Sequence, residues 1–558
     1  MRRIALSALA LVAVLALPGA AQAAEVQARE YVVLYERGAP AVEARQAVQA
    51  AGGTIVEENR AIGVATVRAT EAAFAERAAQ QAALVGAARN GAIGHAPADR
   101  VKRDAVEQEA GKVRAAVRAA EASGPEPLSS LQWNNRMIGA TSDGSYAVQR
   151  GRKAVRVGII DTGIDGSHPD IAPNFRRDLS RNFTTDDPLV DGPCAEDPDG
   201  SCEDPNDVDE DGHGTHVAST IGSPLNGLGI GGVAPGVSLV NLRAGQDSGY
   251  FFLGPTLDAL TYAGDRGIDV VNMSFFVDPW LYNCAANPAD SPAEQREQRL
   301  IGAATQRAVD YARDHGVTVV SAMGNGNSDL GRPTVDVTSP DYPPGAERER
   351  TIDNSCLTVP TETEGVISVT AVGPSGRKAY YSDYGIEQAD VAAPGGDRRE
   401  FFGTERYDAP DTRILAAYPK SVGLVEDRDE DGTPDIDPQT GEPTTPLVVR
   451  QGDGYYQWIQ GTSMASPHAA AVAALIVAEY GRRDRAHLGL TLDPERVERV
   501  LRRTATDTPC PEPRTFTYPD PELTPDFTAV CEGTPDLNGF YGDGIVNALA
   551  AVGGEDDD

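Results

Sequence analysis

Basic residues are scarce in this sequence: 49 Lys+Arg stand against 83 Asp+Glu, a net charge of −34. The deficit is local. Residues 24–130 hold 13 basic and 14 acidic side chains, whereas 131–558 hold 34 and 69, a net of −35. Such a body repels polyanions, which argues against nucleic acid and anionic membrane as partners and favours solubility and bound cations. Most of these acidic side chains are expected simply to face water. No cysteine precedes Cys194, and none of the six (194, 202, 284, 356, 510 and 531) has zinc-finger spacing, which argues against metal ligation through sulfur. An even count suits disulfides in an exported chain. Sequence leaves the pairing open; Cys194–Cys202 and Cys510–Cys531 each bracket one polar loop and are favoured, which leaves Cys284–Cys356. Beyond the N-terminus no run reaches the ~20 apolar residues needed to span a bilayer, so no stable membrane anchor is expected. Internal repeats are absent as well.

What is present falls into four stretches. Met1-Arg2-Arg3, the apolar run Ile4 to Leu17 and the A-x-A site Ala21-Gln22-Ala23 read as a signal peptide over 1–23, hence a secreted, extracellular protein. Residues 24–97 suggest a small α/β unit: strand Tyr31 to Tyr35, helix Ala39 to Ala51, two strands within Thr54 to Val67, helix Thr70 to Gln81 and a last strand near Leu84. Residues 98–130 are charged and Ala-rich, with almost no large apolar groups before Leu128. They could form a solvated helix but cannot build a core, and they read as a proteolysis-prone linker. From 131 to 558, short β-branched runs (Val157–Ile160, Leu239–Leu242, Ile268–Met273, Val317–Val320, Val366–Val372 and Val391) alternate with helical stretches such as 257–266 and 303–315. This is the pattern of an α/β doubly wound, mostly parallel sheet buried on both faces.

Three motifs carry chemistry. Asp161 follows directly on the first of these runs, at the carboxyl end where such sheets place their sites. His213 stands in Asp211-Gly-His-Gly-Thr-His216, and Ser463 in Gly461-Thr-Ser-Met-Ala-Ser-Pro-His468, just ahead of an Ala-rich buried helix. A serine there has free N–H groups and the positive helix end beside it, which suits a nucleophile that generates an oxyanion. Taken alone, Thr462 or Ser463 could be no more than a helix cap. His213 and His216 lack the spacing and the Glu of a zinc H-E-x-x-H helix, and His216 is expected to be packed or hydrogen-bonded.

In the order Asp, His, Ser, these motifs resemble the subtilisin-like serine proteases (subtilases). The resemblance covers about 131–552 and extends to the 24–97 unit, which is similar to the family's ferredoxin-like inhibitory propeptide. It implies a secreted prepro-enzyme, a serine-type endopeptidase acting on protein or peptide substrates, with its own propeptide as intramolecular inhibitor; a monomer is expected. It assigns Ser463 as nucleophile, His213 as general base and Asp161 as the group that fixes the imidazole tautomer. Asn325, in Ser321-Ala-Met-Gly-Asn-Gly326, matches the oxyanion asparagine, although Gly-Asn-Gly alone is also a turn. Ser274, Phe275, Phe276, Met323 and Gly324 match the substrate-lining segments. Phe276 departs from the small residue usual there and puts specificity carried over from the family in doubt; Ala471 replaces a usual glycine.

Asp427, Asp429, Asp431 and Asp435 alternate about Gly432 as in the first part of an EF-hand-type loop and suggest structural calcium, though Pro438 stands where the twelfth-position Glu would be. A weaker candidate is Asp207, Asp209 and Asp211. Two other functions stay open: a processing protease of narrow specificity, permitted by long insertions near 194–211, 284–300, 330–355 and 423–455, and a catalytically idle fold used for binding.

Overall fold

The computed structural model describes residues 28–70, 73–90, 105–108, 126–196, 200–342, 345–429, 431–523 and 527–554. The expected signal peptide and most of the expected linker lie outside them.

The first described unit runs β1 (Arg29–Tyr35), α1 (Ala41–Ala50), β2 (Thr54–Asn59), β3 (Val64–Ala69), α2 (Phe74–Ala78) and β4 (Leu84–Arg89). Its strands form an antiparallel sheet in the order β2-β3-β1-β4, the ferredoxin-like arrangement. Side chains alternate across a strand, so β1 has two apolar faces. Tyr31, Val33 and Tyr35 pack with Val48 and Phe74 of the unit's own helices, while Val32 and Leu34 join a cluster that includes Leu257, Leu260 and Leu300 of the larger body. The small sheet is thus closed on its second face only by docking. Polar contacts fix the docked register: Asn59 donates to Asp258 at 2.7 Å and to Thr261 at 2.9 Å, Arg307 donates to the Tyr35 carbonyl at 2.8 Å, and Asn90 accepts from the Gly254 N–H at 2.9 Å.

The larger body is built on a seven-stranded parallel sheet. Its spatial order is Arg181–Asn182, Ser238–Arg243, Arg156–Ile160, Val270–Met273, Thr318–Ala322, Val366–Val372 and Val391–Pro394. The five inner strands are buried at every residue, as expected of strands covered on both faces. Helices Leu253–Asp265 and Pro292–Asp314 cover one face; His213–Gly222 and Thr462–Tyr480 cover the other. Thr462–Tyr480 is buried from Thr462 to Ala478, and its run of alanines is what lets strands and helices close in on every side.

The doubly wound fold follows the sequence pattern, and the three disulfides are Cys194–Cys202, Cys284–Cys356 and Cys510–Cys531. One insertion is not a loop. Residues from Pro292 on belong to a 23-residue helix that begins in a capping box: the Ser291 hydroxyl accepts from the Glu294 N–H and the Glu294 carboxylate accepts from the Ser291 N–H.

Candidate active site

Each candidate side chain is delivered by the end of an element. Asp161 lies one residue beyond strand Arg156–Ile160 and is fully buried. Its Oδ1 accepts from the Thr162 N–H at 2.8 Å and from His213 Nδ1 at 2.7 Å. His213 opens helix His213–Gly222. That helix end is held by Asp209, whose Oδ2 accepts from the Thr215 N–H and hydroxyl at 2.9 and 2.6 Å while its Oδ1 accepts from the Gly212 N–H at 2.9 Å. Gly214 is required by the close approach: a Cβ there would lie 2.1 Å from the Gly163 carbonyl oxygen and 3.0 Å from Asp161 Cβ.

Ser463 sits in the first turn of Thr462–Tyr480. Pro467, four residues on, has no N–H to return to the Ser463 carbonyl. That carbonyl accepts from the Ser274 hydroxyl at 3.1 Å instead, so the nucleophile turn is tied to the segment after strand Val270–Met273. The Ser463 hydroxyl itself donates to the Ser274 carbonyl at 3.2 Å rather than to His213, a departure from the expected serine–histidine hydrogen bond.

His213 Nε2 faces another partner, one that sequence reasoning did not foresee. A short helix, Ala105–Gln108, from the stretch read as linker, enters the cleft. Glu107 Oε2 is 3.3 Å from His213 Nε2, and Glu107 Oε1 accepts from Asn325 Nδ2 at 3.4 Å. Gln460 donates to the Val106 carbonyl at 3.2 Å. Gly461, at φ 152°, also serves the contact, since a Cβ there would lie 2.7 Å from Glu107 Oε1. A carboxylate therefore occupies the space between the imidazole and the asparagine amide. Nothing in an Ala-rich, charged stretch signals this.

Burial works against a charged His213, yet the flanking Asp161 and Glu107 carboxylates outweigh it and raise the imidazole well above its ordinary value. Asn325 is oriented unambiguously: its Oδ1 accepts from the Thr462 N–H and hydroxyl, both at 2.9 Å, so its NH₂ must point into the cleft. His216 is buried with Nε2 at 3.2 Å from the Ile414 and Gln457 carbonyls, and burial drives it down to about 3. His468 is likewise neutral, down at about 4 from burial, between the Met464 carbonyl and the Asn134 amide.

The substrate-lining candidates divide. The Phe275 ring stacks on Phe251 at 3.9 Å, and Ser274 and Ser466 hydroxyls meet at 2.9 Å. Phe276 and Gly324 are partly exposed at the cleft segments. Met323, by contrast, turns its side chain wholly into a cluster with Tyr282, Leu330 and Ile352, so only its main chain is left to face a substrate.

The candidate calcium residues divide as well. Asp427, Asp429 and Asp431 bring one oxygen each within 4.8 Å of one another. Asp435 is turned into the core, accepting from the Arg428 N–H at 3.0 Å and the Tyr418 hydroxyl at 3.2 Å, because its apolar neighbours Ile436 and Val422 are buried. Asp207, Asp209 and Asp211 do not form a cluster among the described residues: Asp207 pairs with Arg177, Asp209 caps the histidine helix, and Asp211 accepts from the His213 N–H at 2.9 Å.

A sequence profile described as the Subtilase family matches residues 152–538. Subtilisin DY of Bacillus licheniformis is 27% identical over 357 residues, 63% of this chain and 84% of that one. Fervidolysin of Fervidobacterium pennivorans is 25% identical over 392 residues, 68% of this chain but 41% of that one. Among solved structures, the epidermin leader peptide processing serine protease of Staphylococcus aureus matches in fold with a TM-score of 0.60 at 19% identity, covering 95% of this chain and 99% of that one.

Proposed function

The chain belongs to the subtilase family and is a serine-type endopeptidase, and on that premise we propose that it is an exported precursor whose cleft is held shut until a segment N-terminal to it is removed. In the opened site Ser463 attacks the scissile carbonyl, and His213 takes its proton and returns it to the leaving amine. Asp161 keeps the Nδ1–H tautomer and stabilises the imidazolium. The developing oxyanion is met by the Asn325 NH₂ and the Ser463 N–H. The observation that carries this reading is the line of contacts Asp161–His213–Glu107–Asn325, in which a carboxylate rests between the imidazole and the asparagine amide. Asn325→Leu keeps the volume and removes the donor. In the processed enzyme it lowers kcat on casein by roughly 10²–10³ with little change in KM; an unchanged kcat would remove Asn325 from the mechanism.

Residues 24–97 act as an inhibitory propeptide docked on helices Leu253–Asp265 and Pro292–Asp314, and Glu107 latches the cleft itself. The latch depends on pH in a definite direction. The His213 pKa is raised in the latched state, so the ion pair is complete below the imidazole's ordinary value and is lost as pH rises through the raised one. Glu107→Gln removes one charge-assisted hydrogen bond and speeds self-cleavage of the precursor by roughly tenfold near neutral pH, with a smaller gain at alkaline pH. Gel time courses at several pH values read this directly, and an equal or slower rate at neutral pH counts against the latch.

The family reading favours calcium at Asp427, Asp429 and Asp431, an all-oxygen set on an exposed turn that suits a hard cation; those three residues would hold it and the ion would stiffen the turn. Narrow specificity is the second reading for the substrate. It is favoured by Phe276, a bulky side chain where the family has a small one, and by the likeness in fold to a leader peptide processing protease.

A further inference from the structure

The segment that carries Asn325 is gripped from both sides. It leaves strand Thr318–Ala322 and meets the first turn of helix Thr462–Tyr480. On that side the Gly324 N–H donates to the Thr462 hydroxyl at 3.1 Å, and the Asn325 side chain is oriented as described above. On the other side lies the segment 378–384, which follows strand Val366–Val372. The Asp383 N–H donates to the Gly324 carbonyl at 2.9 Å, the Asn327 N–H to the Tyr381 carbonyl at 2.6 Å and the Tyr384 N–H to the Ser328 carbonyl at 2.9 Å. The buried Asp383 side chain closes the grip. Its Oδ1 accepts from the Ser328 N–H at 2.6 Å, and its Oδ2 comes so near that a Cβ on Gly324, at φ 117°, would lie 2.3 Å from it.

Behind this grip stands Lys378, 0% exposed. Its Nζ donates to Asn327 Oδ1 at 2.7 Å and to the Ala379 carbonyl at 3.1 Å, and it lies 5.0, 5.6 and 5.8 Å from the ring centres of Tyr384, Phe540 and Tyr518. Burying an amine is costly, and an apolar side chain of the same length would fill the space among these rings without that cost. Burial pushes the amine down to about 7, with Asp383 and Asp397 offsetting it only in part, but either protonation state offers an N–H to Asn327. Asn327 stands two positions after Asn325 and is itself buried. At φ 51° it holds a left-handed conformation, which a residue other than glycine keeps where its surroundings over-determine it. The Lys378 hydrogen bond is one of those determinants.

We propose that Lys378 is a positioning residue for the oxyanion site: through Asn327 it fixes the main chain of 324–328, so that the Asn325 amide stands in place before the oxyanion forms. Stabilisation of an oxyanion relies on donors that need no reorganisation, and a displacement of about 1 Å costs on the order of 10²-fold in rate. Thr462 sets which way the Asn325 amide faces, whereas Lys378 sets where its main chain stands. The inference rests on the oxyanion role given to Asn325 above and adds to it a residue that acts only through another.

The test is a double-mutant cycle in the processed enzyme, read as kcat and KM on casein. Lys378→Met keeps the length of the side chain and removes the amine. It lowers kcat roughly tenfold and leaves KM within about twofold of the parent. Beside Asn325→Leu the same change alters kcat by less than about twofold, because the donor that Lys378 positions is already gone. Asn327→Gly supplies an independent reading: glycine adopts φ 51° freely and Lys378 stays, yet the tie between them is cut. It gives the same loss in kcat and the same failure of additivity with Asn325→Leu. An unchanged kcat in Lys378→Met and Asn327→Gly overturns the proposal. So does a tenfold loss that persists in full beside Asn325→Leu, which marks a general loosening of the core. If Asn325→Leu alone leaves kcat unchanged, the oxyanion reading itself fails and takes this proposal with it; if Asn325→Leu lowers kcat and the two other changes do not, only the role of Lys378 is lost.

Discussion

Ser463→Ala lowers hydrolysis of casein by on the order of 10⁶ and leaves the N-terminal segment attached to the chain. The size of the loss follows from the chemistry: without the hydroxyl, His213 has no proton to accept and no acyl-enzyme forms. The fold has little reason to suffer. The hydroxyl makes one hydrogen bond, to the Ser274 carbonyl, and alanine is a better helix former than serine at this position in Thr462–Tyr480. Thr462 still orients Asn325 through its N–H and hydroxyl. A melting curve within a few degrees of the parent therefore separates lost chemistry from lost structure, and any residual rate above that in water reports the Asn325 amide. Casein hydrolysis within tenfold of the parent would remove Ser463 from the mechanism.

Asp161→Asn in the processed enzyme costs on the order of 10⁴ in kcat. Asp161 Oδ1 accepts from the Thr162 N–H and from His213 Nδ1, and an asparagine that presents its NH₂ to the imidazole imposes the wrong tautomer. Nor can it keep the negative charge that stabilises the imidazolium. The pH profile carries the signature. Asp161 raises the His213 pKa, and His213 must be unprotonated to act, so activity climbs as pH rises through that value. In Asp161→Asn the pKa falls, and the acid limb of kcat/KM moves to lower pH while the plateau drops. A limb that stays in place would mean that some other group governs it.

Much of the fold was legible because single residues carried a single physical demand. Uncharged β-branched runs have no place except inside a two-sided sheet, and Val157–Ile160, Val270–Met273 and Val366–Val372 lie there. The alternation in Tyr31 to Tyr35 separated the two faces of the small sheet in the same way. Only the C-terminal half of helix Pro292–Asp314 was legible, over 303–315; its polar first turns hid the rest, although Ser291 and Glu294 spell a capping box ahead of them. At the site, Asp161, His213, Ser463 and Asn325 each stand in a short motif and could be picked out locally. Glu107 could not, since its role comes from where the chain carries it and its own stretch has no apolar pattern. The same is true of Lys378: nothing along the chain announces that its amine is buried against Asn327. The inward turn of the Met323 and Asp435 side chains was not legible for the opposite reason. Met323 was placed by resemblance and Asp435 by spacing, and neither signal says which way tertiary packing turns a side chain.

The alanine-rich helix that begins at Thr462 is enclosed by partners from nearly the whole length of the larger body, among them strands at 270–273, 318–322 and 391–394 and helices at 213–222, 494–503 and 548–552. It cannot reach its resting place ahead of them. A half-assembled copy therefore does not yet hold the Ser463 turn in place, whether or not the small N-terminal sheet has docked.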